Sequence, residues 1–127
     1  MAWDRIRLIR KGDRLLDDST PGMIREAAVS TDRMWAGLVR TEPGMASGWH
    51  HHGEYESVIY VASGRLRMEF GSGGADVEEA GPGDFLFVPK GAIHRETNPL
   101  EEEGTLIAAR SGTGPPVINV DGPESAG

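Results

Sequence analysis

Histidine is the residue type whose spacing in this sequence points most directly to chemistry. The chain contains four histidines, and three of them are consecutive, at His50, His51 and His52. Alternate residues of a β-strand share a face, so His50 and His52 point to one side and His51 to the other. Two imidazoles on one face can share a metal ion, and neutral imidazole suits iron, manganese, nickel, copper and zinc. The alternative is a solvated histidine cluster, which the internal position of the three residues disfavours.

The fourth histidine, His94, lies within a second pattern of glycine, proline and asparagine. After Gly83, five residues precede Pro89, and Gly91, His94 and Asn98 follow. Proline fixes φ and glycine permits a tight reversal, so this segment can bend the chain and direct His94 inward. Since inward side chains of separate barrel strands converge on one interior point, His94 can join a histidine pair from elsewhere in the chain.

Both patterns resemble the two sequence motifs of the cupin family. Gly83, Pro89, Gly91, His94 and Asn98 match every fixed position of the second motif. The opening half of the first motif is matched by Gly44, His50 and His52. The resemblance implies an all-β fold, a single-domain cupin β-barrel of the double-stranded β-helix or jelly-roll type. It also implies that His50, His52 and His94 hold one divalent transition metal (Fe, Mn, Ni, Cu or Zn).

The acidic ligand that cupins usually add to three histidines is ambiguous here. Counting forward from His52 reaches Glu56, whereas counting back from Gly64, the closing glycine of the first motif, reaches Ser57. If the strand bulges, Glu56 ligates the metal. If it does not, Ser57 points inward, Glu56 faces outward and three histidines act alone. We predict Glu56 as the fourth ligand and regard Glu54 as a weaker substitute.

The remaining sequence predicts short strands and turns around these residues. The 127 residues include 18 glycines and 8 prolines, and no long helical period is present. Turn-separated apolar segments of this kind fit a sandwich or barrel. The segment 85–88 is apolar throughout and is predicted to be buried on both faces. Strands are predicted at 6–9, 34–40, 49–52, 58–61, 66–70, 76–79, 85–88, 106–109 and 117–120. We predict an N-terminal arm with an edge strand over residues 1–33, the barrel over 34–112, and a C-terminal strand and tail over 113–127.

Composition and charge restrict the classes of function. The net charge of −7 argues against a nucleic-acid partner, because phosphate neutralisation needs clustered lysine and arginine. The absence of cysteine excludes disulfides, thiolate catalysis and cysteine-ligated zinc. No stretch approaches the roughly 20 apolar residues that span a bilayer, and the charged N-terminus lacks a signal-peptide core. We therefore predict a cytoplasmic protein without a membrane partner.

The predicted site suits reactions of small molecules. A metal with histidine ligands and open positions can polarise a bound oxygen atom, activate water, or bind O₂ if it is iron or copper. The resemblance implies a metal-dependent enzyme on a small organic molecule, with dioxygenase-type chemistry favoured. The alternatives are a non-catalytic cupin that binds a small ligand or a metal as a sensor, and a sugar isomerase or lyase. Tyr60 is predicted to donate a hydrogen bond to the substrate, although it can equally pack in the barrel wall. A homodimer is predicted because residues 6–9 and 117–120 can cover an open sheet edge.

Overall fold

The computed structural model of the chain describes residues 3–17 and 20–125 and consists of two β-sheets around a shared core. In this part of the chain no helix is long and apolar enough to cross a membrane. The elements are a short 3₁₀-helix at Lys11–Asp13 and strands β1 (Leu15–Leu16), β2 (Met23–Ser30), β3 (Met34–Thr41), β4 (His50–His51), β5 (Glu56–Ser63), β6 (Leu66–Phe70), β7 (Asp76–Ala80), β8 (Phe85–Val88), β9 (His94–Thr97), β10 (Gly104–Ser111) and β11 (Ile118–Asn119).

The strands pair in an antiparallel manner within each sheet. The order is β1-β2-β3-β10-β5-β8 in the six-stranded sheet and β11-β4-β9-β6-β7 in the five-stranded sheet. Strands distant in sequence are therefore neighbours, as β10 is to both β3 and β5. This arrangement confirms the predicted all-β barrel with two sheets.

The N-terminal region differs from its prediction. Residues 6–9 do not form a strand, and the side chains of Ile6 and Leu8 are exposed. Instead β2 pairs with β3 along almost its whole length. The strand was overlooked because Arg25 occupies an inward position between Met23 and Ala27, which breaks the apolar alternation that identifies a half-buried strand.

Strand β8 lies where it is predicted, but its predicted burial on both faces is wrong. Phe85 and Phe87 are 67% and 61% exposed, while Val88 is buried. The reason is that β8 forms the outer edge of the six-stranded sheet, next to β5. Nothing in the described residues covers the outer face of that edge, so phenylalanine remains at the surface. The homodimer stays a prediction.

The core between the sheets receives inward side chains from both. Alternating residues of β3, β5, β6 and β10 supply it, as the period of two along a strand requires. The buried apolar residues are Met23, Trp35, Val39, Met45, Ile59, Val61, Leu66, Met68, Ala80, Val88 and Leu106.

Asn98 fixes the loop that follows β9. Its side chain is 1% exposed, and its Nδ2 donates to the carbonyl oxygens of Glu102 and Glu42 at 2.8 and 3.2 Å. Its Oδ1 accepts a hydrogen bond from the backbone N–H of Leu100 at 3.0 Å. The residue thus ties three backbone segments together and supports the strand that carries His94.

We expect Asn98→Ala to lower the free energy of unfolding by about 2–3 kcal/mol, because several buried backbone groups lose their partner. Asn119→Ala is the matched control, since Asn119 is exposed on β11 and its loss should cost less than about 0.5 kcal/mol. Urea denaturation followed by tryptophan fluorescence measures both variants. Equal unfolding midpoints for the two would contradict the role assigned to Asn98.

Candidate metal centre

Two strands of the five-stranded sheet bring three histidines together. His50 on β4 lies directly opposite His94 on β9 in the strand register, and their ring centroids are 4.4 Å apart. His52 follows two residues after His50, and one ligand atom from each of the three side chains lies within 4.8 Å of the others. All three side chains are buried, at 1%, 8% and 1% exposure for His50, His52 and His94.

The turn before β9 directs His94 into this cluster. Gly91 has a φ of 67°, a left-handed conformation that glycine adopts without a side-chain clash. Its backbone N–H donates to the carbonyl of Gly53, in the turn after His52, at 2.9 Å. The two loops that flank the histidines are therefore joined by a hydrogen bond. His51 lies outside the cluster, and its Nδ1 accepts the Gly53 N–H at 3.0 Å.

Each clustered imidazole is held in one tautomer by the backbone. A carbonyl oxygen can only accept a hydrogen bond, so an Nδ1 that contacts one carries the proton and Nε2 keeps its lone pair. Metal-binding histidines commonly show this arrangement. The Nδ1 atoms of His50, His52 and His94 contact the carbonyl oxygens of Gly48, Pro116 and Ala92 at 2.9, 2.7 and 2.8 Å.

A buried carboxylate lies beside the histidines. Glu96 follows His94 by two residues on β9 and is 3% exposed. Its Oε1 is 3.7 Å from Nε2 of His94, and its Oε2 is 3.8 Å from Nε2 of His50. This residue lies outside the ligand set that the sequence predicts. The signal was present, because the alternation that pairs His50 with His52 also pairs His94 with Glu96.

Burial sets the protonation of the cluster. It lowers the pKa of His50, and it lowers the pKa of His52 to about 4, against the opposing hydrogen bond to Pro116. Burial acts to raise the pKa of Glu96, but the attraction of the His94 and His50 imidazoles in their protonated forms and of Arg25 outweighs it and holds that pKa below its usual value. At neutral pH the site therefore combines neutral imidazoles at His50 and His52 with a carboxylate at Glu96, the protonation states that metal binding requires.

The donor atoms fit a transition metal. Within the described residues, Nε2 of His50, Nε2 of His94 and Oε2 of Glu96 are buried and lack a hydrogen-bond partner. Buried polar atoms without partners are costly, so an unpaired group of this kind calls for a ligand. Nitrogen and oxygen ligands bind such ions at about 2.0–2.2 Å and so lie roughly 3–4 Å apart, a range that includes both Glu96 contacts.

The structure does not bring Glu56 to the cluster. Strand β5 begins at Glu56 and alternates regularly, so Ser57, Ile59 and Val61 are buried and Glu56 is exposed on the opposite face. A tight turn follows His52, in which the Tyr55 N–H donates to the His52 carbonyl at 3.1 Å. This turn determines which residues of β5 face inward. Of the two alternatives left open by the sequence, the geometry fits the one with Ser57 inward. Glu54 is also exposed.

Tyr60 is also directed away from the cluster. It shares the outward face of β5 with Val58, and its ring lies 4.9 Å from the ring of Phe85 on β8. The geometry therefore favours the wall-packing alternative over a substrate contact. The tyrosine beside the interior is Tyr55, which lines an open cavity and donates from its hydroxyl to the Gly114 carbonyl at 3.2 Å.

Two cavities that share lining residues lie near the cluster. The outer cavity, of about 210 Å³, is lined by Asp17, Trp35 and Tyr55, among others. The inner cavity, of about 30 Å³, is lined by His52, Ser57 and Glu96 together with apolar core residues. Two buried arginines, Arg25 and Arg110, line both cavities. The arginines therefore border both the outer cavity and the small cavity beside His52 and Glu96.

The model of the cupin domain family matches residues 37–109, a span that includes all three histidines and Glu96. The chain belongs to the cupin family. The resemblance that the two motifs predicted is thereby confirmed. A buried three-histidine cluster in a cupin suggests a metal site. No curated protein sequence matches the chain.

Solved structures similar to this cupin have the same double-stranded β-helix architecture. KdgF from Halomonas sp. has 22% identity and a TM-score of 0.72, covering 87% of this chain and 96% of its own. A protein with a double-stranded β-helix domain from Klebsiella pneumoniae has 17% identity and a TM-score of 0.71, covering 92% of this chain and 99% of its own. A cupin-superfamily sugar phosphate isomerase from Silicibacter pomeroyi has 24% identity and a TM-score of 0.62, covering 74% of this chain and 62% of its own. These likenesses concern the fold.

Proposed function

We propose that this cupin is a metal-dependent enzyme that acts on a small organic molecule and binds one divalent transition metal through His50, His52, His94 and Glu96. One observation carries the proposal. Buried Nε2 of His50 and buried Oε2 of Glu96 lie 3.8 Å apart, and neither has a hydrogen-bond partner among the described residues. A shared cation would satisfy both atoms, which otherwise remain unpaired in the interior.

The protein residues in this proposal hold and shield the site. The carbonyls of Gly48 and Ala92 keep two imidazoles oriented, so their lone pairs are fixed before any ligand arrives. The buried carboxylate of Glu96 supplies negative charge in a low-dielectric interior, where its attraction for a cation is strongest. A bound divalent metal would supply Lewis acidity to an oxygen atom of the substrate. The cavities favour an enzyme over a sensor, because the inner one leaves space beside His52 and Glu96.

Two reaction classes follow. Oxygen-dependent, dioxygenase-type chemistry is the first candidate, and it would require iron or copper in the site. An isomerase or lyase reaction is the second, and the similarity in fold to a sugar phosphate isomerase supports it. Both use the same ligands and the same cavities, so they differ in whether O₂ is consumed.

Metal analysis followed by turnover measurement tests the proposal. We expect about one metal ion per chain after purification or reconstitution, as a site with a full ligand set predicts. The Fe²⁺-loaded protein is then incubated in air and under argon with a panel of small organic acids and sugars, and substrate loss is followed by mass spectrometry. The metal-free protein is the control.

The outcomes separate the alternatives. Conversion that requires both metal and air supports the first reaction class, and conversion that requires metal but not air supports the second. Stable ligand binding without conversion would favour the non-catalytic cupin. A protein that takes up no stoichiometric metal from any of the five candidate ions would refute the proposed site.

A further inference from the structure

We propose that Arg25 and Arg110 form an anion-binding site next to the metal centre and that the substrate is a small organic acid whose carboxylate they hold. The inference rests on the proposed function, because it names the substrate class of that same site. The observation that carries it is that two buried arginines line both the outer cavity and the inner cavity beside His52 and Glu96.

The barrel places both arginines on its inner face. Arg25 lies on β2 and Arg110 on β10, the two strands that flank β3, where they pair with Val39 and Trp35. Their exposed fractions are 6% and 8%. Arginine is rarely buried to this extent, and two buried arginines that line the same cavities indicate a function for their charge.

Arg110 is held in a fixed orientation. Its guanidinium carbon lies 4.6 Å from the centroid of the Trp35 ring, and the indole N–H of Trp35 donates to Oδ2 of Asp17 at 2.7 Å. One nitrogen of Arg110 also contacts the Pro116 carbonyl, at 3.5 Å. A guanidinium has five N–H donors in a rigid plane, so this support leaves Arg110 able to donate a pair of parallel hydrogen bonds.

Arg25 approaches the same space from the opposite side of β3. Its Nη1 donates to Oγ1 of Thr20 at 3.3 Å, and its Nη2 contacts Sδ of Met23 at 4.0 Å. It lines the inner cavity together with Glu96 and His52. The arginine therefore borders the same space as two of the proposed metal ligands.

The charges in this interior favour an anion. Among the described residues, Arg25 and Arg110 line both cavities, whereas Asp17 lines the outer one and Glu96 the inner one, so each cavity presents two guanidinium groups and one carboxylate. A negatively charged ligand restores the balance, although the chain as a whole carries a net charge of −7. Arginine is suited to bind a carboxylate through two parallel hydrogen bonds.

The size and charge of the outer cavity favour a carboxylate over a phosphate. Its volume of about 210 Å³ lies below the range of about 300–1,000 Å³ that is typical for larger ligands, so a compact molecule fits. Asp17 lies on its wall, and its negative charge repels a phosphate dianion more strongly than a carboxylate monoanion. We therefore assign the site to a small monocarboxylate.

Calorimetric titration of the Ni²⁺-loaded protein with pyruvate and 2-oxobutyrate tests the assignment, with pyruvamide as the uncharged counterpart and inorganic phosphate as the competing anion. We expect the acids to bind at least about 10-fold more tightly than the amide, since one charge-assisted hydrogen bond strengthens binding by about this factor. Arg25→Gln and Arg110→Gln should each weaken acid binding by about 10- to 100-fold. Arg40→Gln is the control, because Arg40 contacts Glu26 at the surface of β3.

Metal content, measured on every variant, separates this inference from the proposed function. If the wild-type protein takes up no metal yet still binds acid in an arginine-dependent way, the proposed function fails and the anion site stands. Equal affinity for pyruvate and pyruvamide, binding of phosphate without binding of either acid, or unchanged acid binding in both glutamine variants would each overturn the anion site. Arg25→Lys and Arg110→Lys keep the charge, and partial retention of acid binding in these variants supports the site if the glutamine variants do not fold. The acid-amide comparison needs no variant.

Discussion

Replacing His94 with alanine is expected to reduce metal affinity by more than about 100-fold. Mutating a residue that merely hydrogen-bonds to a metal ligand already lowers metal affinity by about 10- to 100-fold, and loss of a ligand should lower it further. His94 lies opposite His50 in the register between β4 and β9, and its Nδ1 contact with Ala92 fixes which nitrogen is available. Alanine removes this ligand and leaves Glu96 without one of its two imidazole neighbours. Metal content by mass spectrometry and affinity by competition with a chelator measure the effect.

His51→Ala is the matched control for this variant. His51 lies between two of the proposed ligands in the chain, but it is outside the cluster and accepts a hydrogen bond from the Gly53 N–H. We expect it to keep about one ion per chain and the wild-type affinity. If His94→Ala retained as much metal as His51→Ala while both remained folded, the cluster would not be the metal site.

The second large effect concerns the acidic ligand. Glu96→Gln is expected to lower metal affinity by about 10- to 100-fold, because a neutral amide replaces a buried carboxylate that lies within 3.8 Å of two imidazole nitrogens. Glu56→Gln, on the exposed face of β5, is expected to leave the affinity unchanged. The pair is closely matched, because both changes replace one carboxylate with an amide of the same shape.

The comparison also decides between two interpretations of the first cupin motif. A loss of affinity in Glu56→Gln together with normal binding in Glu96→Gln would mean that β5 bulges and that Glu56 turns inward when metal binds. The opposite result would show that the acidic ligand comes from the second motif, two residues after its histidine. Chelator competition at a fixed pH of 7.5 is the appropriate measurement, since proton release accompanies metal binding.

Local sequence patterns were sufficient to predict those features that depend on a single strand or turn. The alternation of His50 and His52, the bend at Pro89 and Gly91, and the apolar period of β6 each depend on neighbours within a few residues. The three histidines could therefore be assigned before any fold was known. The same rule, applied to the residues after His94, would have identified Glu96 as well.

Alternation does not continue through a turn. The tight turn after His52 interrupts the strand, so counting residues could not decide whether Glu56 or Ser57 faces the interior. The same uncertainty extended to Tyr60, whose orientation depends on the phase of β5. Only the pairing of β5 with β10 and β8, which sets its phase against both neighbours, resolves the question.

The sequence by itself determined the all-β class, the cupin motifs and the three histidines, because these follow from short-range spacing and backbone preferences. The tertiary structure decided which carboxylate lies beside them and which strands lie at an edge, as β8 does. It also revealed Arg25 and Arg110, which come from strands 85 residues apart in the chain and meet only because β2 and β10 both flank β3. Such encounters depend on long-range pairing, and no local pattern carries that information.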